Sequence, residues 1–594
     1  MAVAAFHFHG YQPGDIVRWI EPDPLKPPRF EERNSPVSHR IGHERILGRN
    51  WTDAVLHAYG RMEAVLERVP GVASVDIEPQ TLAWLLEKDG DAYRRVLAAW
   101  ERGVAGLVMT PPFHPILPHH HRQEREVLFD MMFDFYARPL RRTEGNPIGL
   151  WLPEAAYSAD TMRDFAAAAR RASTDHDGLH DLVPRVYLLM DRRQIAHPEA
   201  GTAWYHMVGD GGMPVVVRDP PLSGDFAFGS TQAAAFASTA KSRHSESLLV
   251  ASDLESLLAN AAQAERFESI VRALTAEGFM VAVPTPPSTT IAATPLDHSS
   301  WSDYEEHLHR GHTSDTRWTG LRRSDGLVVS RNHRGEPMSQ LWKHALTLAT
   351  EQIETAIRRT ARELLRAFEF ERRGELLRRL AVAYGRHVFR EHYRANGLSS
   401  ADVDFAEAAQ AILGGRVDVE LAAHLARGYT TMLMGLRSDP RFWDNPDTRV
   451  TFQNVACLAQ ALVDVAKACH LAGEADHATR LVRLLRATLL EFSEAYGRKG
   501  FSELHGVEGW ETTEAAWLRS LQSDVTFRSE YDVVRRAVLF AVGEALRDAH
   551  HVPARTEDVV ADTGHIAGEA HGEWGNRNWC EHSVPFREPD NLRG

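Results

Sequence analysis

Residues 148–158 read Ile-Gly-Leu-Trp-Leu-Pro-Glu-Ala-Ala-Tyr-Ser. The apolar run 148–152 has the make-up of a strand, and Pro153, with no amide hydrogen to donate, ends its ladder. Glu154 is thereby held at the carboxyl end of a strand, and helical periodicity resumes over 161–172. The same strand–turn–helix unit recurs on either side. Towards the amino terminus, strands are expected at 106–109, 73–77 and 2–9, with helices at 125–136, 93–102 and 51–68. Towards the carboxyl terminus, strands are expected at 185–190, 214–218, 247–251 and 279–283, with a helix over 257–275. Alternating β and α segments predict an α/β fold, a parallel sheet with helical crossovers. About seven such units favour a closed or nearly closed barrel over a small doubly wound sheet.

The pattern changes beyond the Gly-, Ser- and Arg-containing stretch 320–337. Helical periodicity runs through 341–373 without Gly or Pro, and 375–393, 419–434, 450–472, 477–496 and 530–549 are helical too. Residues 457–490 resemble a helix hairpin, but no second copy follows at a fixed period. The expected division is a catalytic barrel over 1–320, a junction over 321–340, an α-helical domain over 341–550 and an irregular tail over 551–594. A chain of 594 residues is too long for one ordinary core.

Composition narrows the function classes. Hydrophobic residues at 43% and charged residues at 25% are globular values. No apolar run is long enough to span a membrane. The opening MAVAAFHFHGYQP lacks a basic region and a cleavable apolar core, so it reads as a strand and not as a leader. A net charge of −14 disfavours a general nucleic-acid binder. Cys457, Cys469 and Cys580 are too few and too scattered for a disulfide framework or a zinc pattern. A reducing cytoplasm is the expected compartment.

Chemistry in parallel sheets collects where strands end. Four polar clusters stand there: 7–13, 114–121, 153–158 and 252–255. Alternation along a strand puts His7 and His9 on one face. Two imidazoles aimed at one place can hold a metal or donate to hydroxyls, or they can simply pack. Prolines fix the loop 110–118 and with it His114. The run His119–His121 reads as a solvated start to the next helix more readily than as a metal tract. Glu154 is the sharpest signal: a carboxylate fixed at a strand end beside Trp151 suits a glycosidase nucleophile. The competing reading is an acid offsetting a helix dipole. Asp253 offers the partner carboxylate, about 5–5.5 Å away for retention of anomeric configuration and about 6.5–9.5 Å for inversion. Arg218 and Asp219 can bind sugar hydroxyls or form a structural ion pair, and Trp301 can lie against a sugar face or pack.

Taken in order, HFHGYQP (7–13), FHPILPH (113–119), GLWLPEAAYS (149–158) and ASDLES (251–256) resemble the motifs of glycoside hydrolase family 57. VVVRDPPLS (215–223) and SSWS (299–302) resemble its subgroup with a long helical C-terminal region. The likeness covers most of 1–320 and, more loosely, the helices to about 550. It implies an incomplete seven-stranded (β/α) barrel of the glycoside hydrolase/deacetylase type, followed by a mainly α-helical domain. It implies a retaining enzyme on α-glucans, of amylase, branching or 4-α-glucanotransferase type, with no metal or cofactor in the chemistry. Position by position, Glu154 would be the nucleophile and Asp253 the acid/base. His7, His9, Tyr11, His114 and Trp151 would line the sugar subsite, with Gln12, Arg218, Asp219 and Trp301 completing the expected substrate-binding set. Relatives usually carry Asp-Gly-Glu where this chain has Asp253-Leu254-Glu255, and the Gly and His residues that follow are missing here. That departure motivates a second reading, a non-catalytic glycan-binding descendant. The histidines motivate a third, a metal-dependent deacetylase or mannosidase-like enzyme with zinc on His7, His9, His114 and a carboxylate.

Overall fold

The computed structural model describes residues 2–11, 23–26, 51–143, 145–175, 182–208, 212–258, 261–288, 290–302, 316–319, 341–442 and 449–485. Gln12, the junction 321–340, the expected helix 530–549 and the tail 551–594 lie outside the described residues.

Short, mainly apolar runs form the strands β1 (Ala2–Gly10), β2 (Ala73–Ile77), β3 (Gly106–Met109), β4 (Ile148–Trp151), β5 (Val186–Asp191), β6 (Trp204–Met207), β7 (Pro214–Arg218), β8 (Ser247–Asp253), β9 (Phe279–Val281) and β10 (Ile291–Ala293). They lie in the order β10-β6-β7-β5-β4-β3-β2-β1-β8, with β9 also pairing β1. From β8 round to β7 every pairing is parallel. The sheet curls until β7 and β8 meet at a seam. There the Asp219 amide donates to the Leu249 carbonyl over 2.9 Å, and the Ala251 amide donates to Ser223 Oγ over 3.1 Å. No ladder crosses that seam, so the barrel stays incomplete. Packing inside the curl is tight: a Cβ on Gly149 in β4 would stand 2.5 Å from the Val108 side chain.

Two strands escape the sequence pattern. β6 pairs antiparallel with β7, and β10 extends that edge through β6. Both are short, three or four residues, where one residue of alternation more or less decides the reading. Helices α1 (Trp51–Leu66), α2 (Pro79–Lys88), α3 (Gly90–Glu101), α4 (Arg122–Arg142), α5 (Ala159–Asp175), α6 (Pro220–Phe228), α7 (Ala233–Arg243), α8 (Leu254–Leu258) and α9 (Ala261–Ala276) connect the strands.

The second half is helical: α10 (Leu341–Leu364), α11 (Phe370–Val388), α12 (Phe405–Leu413), α13 (Val419–Met434), α14 (Asp439–Phe442), α15 (Arg449–Leu471) and α16 (Ala475–Leu485). The helix expected to run unbroken over 341–373 stops after Leu364. The break needs no Gly or Pro, because Leu365 and Phe368 turn inward and are buried, and Arg373 Nε donates to the freed Phe368 carbonyl over 3.0 Å. α13 and α15 cross closely at Gly428, where a Cβ would lie 2.7 Å from the Val465 side chain.

An acidic ridge on α4 joins the halves. Glu124 meets Arg358 at 3.1 Å and accepts from the Tyr429 hydroxyl at 2.9 Å. Asp130 pairs with Arg378, and Asp134 accepts from both Arg386 Nη2, at 2.6 Å, and Nε, at 2.8 Å.

Candidate active site

Parallel register lines up three side chains at the carboxyl ends of adjacent strands. His9 on β1 stands opposite Asp76 on β2 and opposite Asp253 on β8. Asp76 takes both β1 histidines, His9 Nδ1 at 2.8 Å and His7 Nε2 at 3.1 Å, while His7 Nδ1 lies 3.2 Å from Ser74 Oγ. Burial pulls the His9 pKa down, but Asp76, with help from Asp253 and Glu154, outweighs it and lifts the imidazole to about 9. Burial also opposes ionisation of Asp76, yet the two histidines hold it below the usual carboxylate range. His7 and Trp151 are fully buried beneath this row, and the Trp151 ring centroid lies 5.3 Å from each imidazole.

The loop after β3 turns through two left-handed residues, Phe113 (φ 69°) and His114 (φ 50°). Glu78 anchors it by accepting the Phe113 amide at 2.6 Å, while also capping α2 through the Gln80 and Thr81 amides. His114 Nε2 lies 3.0 Å from His9 Nε2, and the Tyr11 ring stacks on His114 with centroids 3.9 Å apart. Burial, the charged His9 and Arg437 push the His114 pKa well down, so His114 is the neutral partner of the pair.

The loop after β4 repeats the device. Glu154 (φ 59°) and Ala155 (φ 47°) are both left-handed. Glu154 Oε2 accepts the Trp301 indole N–H at 2.6 Å, and Oε1 accepts the Ser438 hydroxyl at 3.1 Å. Burial raises Glu154 to about 7, against the opposing pull of Trp301, His9, Arg317 and Ser438. Arg218 packs over the Trp301 ring at 4.4 Å and bonds Asp191 at 2.7 Å. It therefore reaches the site through Trp301. Asp219 points into the scaffold, where it caps α6 through the Leu222 amide and takes His244 and Arg243, each at 2.9 Å. Arg218 and Asp219 thus have separate partners.

Asp253, the last residue of β8, is exposed beside His9 and makes no side-chain hydrogen bond among the described residues. Its surroundings displace enough water to raise its pKa, and Asp76 adds to this against His9 and Arg218. Next door, Glu255 accepts from the Tyr59 hydroxyl at 2.6 Å and is raised to about 7 by burial and by Asp253. Leu254 is fully buried, so its side chain does not stand on the surface beside Asp253.

The structure brings His9, Tyr11, His114, Trp151, Glu154 and Trp301 into one contact network, with Asp253 at its rim. Three participants had not been picked out. Asp76 carried a signal, a lone charge inside an apolar strand. Ser438 and Asp439, which accepts from the Tyr11 hydroxyl, carried none, because they arrive from the helical half. Among the described residues, no group of three or more His, Cys, Asp or Glu side chains could hold a metal ion.

Residues 1–285 match the family described as maltose-forming alpha-amylase-like, N-terminal domain, and residues 317–564 match its C-terminal domain. The chain is 30% identical to an exo-type maltose-forming amylase from Pyrococcus sp. ST04, covering 98% of this chain and 100% of that one, with a TM-score of 0.76. The chain belongs to glycoside hydrolase family 57, in its maltose-forming α-amylase-like group. Family 57 membership makes it a carbohydrate-active enzyme of the α-glucan-acting class. Two other solved structures are more distantly similar. A 4-alpha-glucanotransferase from Thermococcus litoralis is 12% identical over 79% of this chain and 59% of that one, at a TM-score of 0.42. A GH57-type branching enzyme from Pyrococcus horikoshii is 12% identical over 90% and 96%, at 0.41. No curated protein sequence matches this family 57 chain.

Proposed function

We propose that the protein is a retaining amylase that releases maltose from α-glucan chain ends, with Glu154 as nucleophile and Asp253 as general acid/base. One observation carries the reading. Two carboxyls stand at strand ends of one curled sheet and differ in how they are held. Glu154 has both oxygens fixed by hydrogen bonds, whereas Asp253 is exposed and unbonded among the described residues. In the first step Glu154 attacks the anomeric carbon, the glycosidic C–O bond breaks, and the Asp253 proton passes to the leaving oxygen. In the second, the Asp253 carboxylate takes a proton from water, whose oxygen attacks the same carbon and releases Glu154. The charged His9 beside Asp76 supplies positive charge to a site that gains and loses carboxylate charge in turn. The buried Leu254 supports the catalytic reading over the non-catalytic one, since replacing glycine there leaves the Asp253 position free. The maltose unit and the exo mode are taken from the Pyrococcus relative's description.

The test pairs two variants. Glu154→Gln should abolish turnover of maltooligosaccharides. Asp253→Asn should lose turnover of natural glucans but accumulate a glycosyl-enzyme from an activated glycoside, with azide restoring turnover by displacing the sugar. Maltose released by the unmutated enzyme should appear first as the α-anomer. An Asp253→Asn enzyme indifferent to azide and equal to the unmutated protein on glucans would sink the assignment.

A further inference from the structure

Ser438 lies 284 residues beyond Glu154 in sequence, yet its side chain is buried against it. The segment around it is stitched to the loop after β3. The Ser438 amide donates to the His114 carbonyl over 2.9 Å, and Pro115 and Arg437 form an antiparallel bridge. Arg437 is itself held by Gln80 Oε1 at 2.8 Å.

With His9 charged, His114 neutral and Glu154 ionised, one assignment of protons runs through this chain of groups. Asp76 accepts from His9 Nδ1–H, and His9 is charged, so its Nε2–H donates to His114 Nε2. With Nε2 accepting, the single proton of the neutral His114 sits on Nδ1 and donates to Ser438 Oγ at 2.7 Å. Ser438 must then turn its own O–H to Glu154 Oε1. The order reads Asp76, His9, His114, Ser438, Glu154.

We propose that Ser438 is a positioning residue for the nucleophile: its hydroxyl, oriented by the His9–His114 pair, aims Oε1 of Glu154 and favours its ionised form. The inference rests on the reading of Glu154 as nucleophile. The helical half thereby holds one side of the attacking carboxylate, and Trp301 holds the other. Among the described residues, the charged and titratable groups around Glu154 include His9 from β1, His114 from the loop after β3 and Arg317 from the helical turn Thr316–Thr319, with Tyr11, Asp76, Arg218, Asp253, Arg437 and Asp439 beyond them.

Ser438→Ala should lower kcat roughly 10- to 100-fold, the range for losing a hydrogen bond to a charged group, with KM changed far less. The acidic limb of kcat/KM should move up by about one pH unit, because the ionised carboxylate loses a donor. Ser438→Thr keeps the hydroxyl and should restore both. Ser438→Cys, which keeps the shape with a weak donor, should show the same upward limb, and it serves if the alanine variant fails to fold. The underlying reading is checked separately by trapping with an activated fluorinated maltosyl fluoride and mapping the label by peptide mass. A label away from Glu154 in the unmutated enzyme overturns the nucleophile reading, whatever Ser438 does. A label on Glu154 at the same rate and with the same pH limb in the unmutated, alanine and cysteine forms overturns the role of Ser438.

Discussion

Glu154 occupies φ 59°, ψ 20°, a backbone state that costs an ordinary residue roughly 1–2 kcal/mol. Phe113, His114 and Ala155 share it, so four of the five non-glycine residues with positive φ among those described stand at the site. A hydrogen bond from the Phe113 amide to Glu78, and bonds from Trp301 and Ser438 to Glu154, hold the strained turns in place. A second cost is electrical. Glu154 carries a pKa of about 7 in the fold against 4.5 for the free side chain. A raised acid pKa means that the folded state prefers the proton. Below pH 4.5 both states are protonated and no penalty arises. Between pH 4.5 and 7 the unfolded chain ionises first, so stability falls, and above pH 7 the full penalty is present, on the order of 3 kcal/mol. Glu154→Gln has no such term. The stability of the variant relative to the unmutated protein, measured by denaturant unfolding, should therefore be higher at pH 8 than at pH 4. An equal difference at the two pH values would refute it.

Among the elements, the crossing of α13 and α15 is set by what Gly428 lacks. Gly428→Ala should gain about 1 kcal/mol of helix propensity but lose about 1–3 kcal/mol to overpacking against Val465 and the Ala461 carbonyl. A lower melting temperature is expected, and a higher one would show that the helices can part. Strands such as β1, β2, β4 and β8 were legible because buried parallel strands are short apolar runs that stop at Gly, Pro or a charge. The strands β6 and β10 were not, since pieces of three and four residues carry too little pattern. The break after Leu364 was hidden for a different reason: packing of Leu365 and Phe368, not local propensity, ends that helix. At the site, Glu154, His9 and Asp253 announced themselves by standing at strand ends. Asp76 carried the signal of a lone charge in an apolar strand but no partner until register placed it beside His9, and Ser438 emerged only once the two halves were docked.

At the scale of the whole molecule, the α4 ridge of Glu124, Asp130 and Asp134 clamps the helical half on the barrel through Arg358, Arg378 and Arg386. Phe135 of α4 also stacks on His392 with centroids 3.6 Å apart. Separated there, each half would expose surface that evolved to be covered. Residues 1–316 expressed alone should be inactive and prone to aggregate, and co-expression with 317–594 should recover glucan turnover in a soluble complex. Turnover by 1–316 alone would show that the barrel needs no second half. The same division has a consequence in time. Ribosomes add about 5–20 residues per second, so the 284 residues between Glu154 and Ser438 take on the order of 15–60 s to make. Until Trp301 is made the nascent acid has neither oxygen guided, and from there until Ser438 follows it has one. A chain stalled before residue 438 would therefore carry its candidate nucleophile without the hydroxyl that aims it.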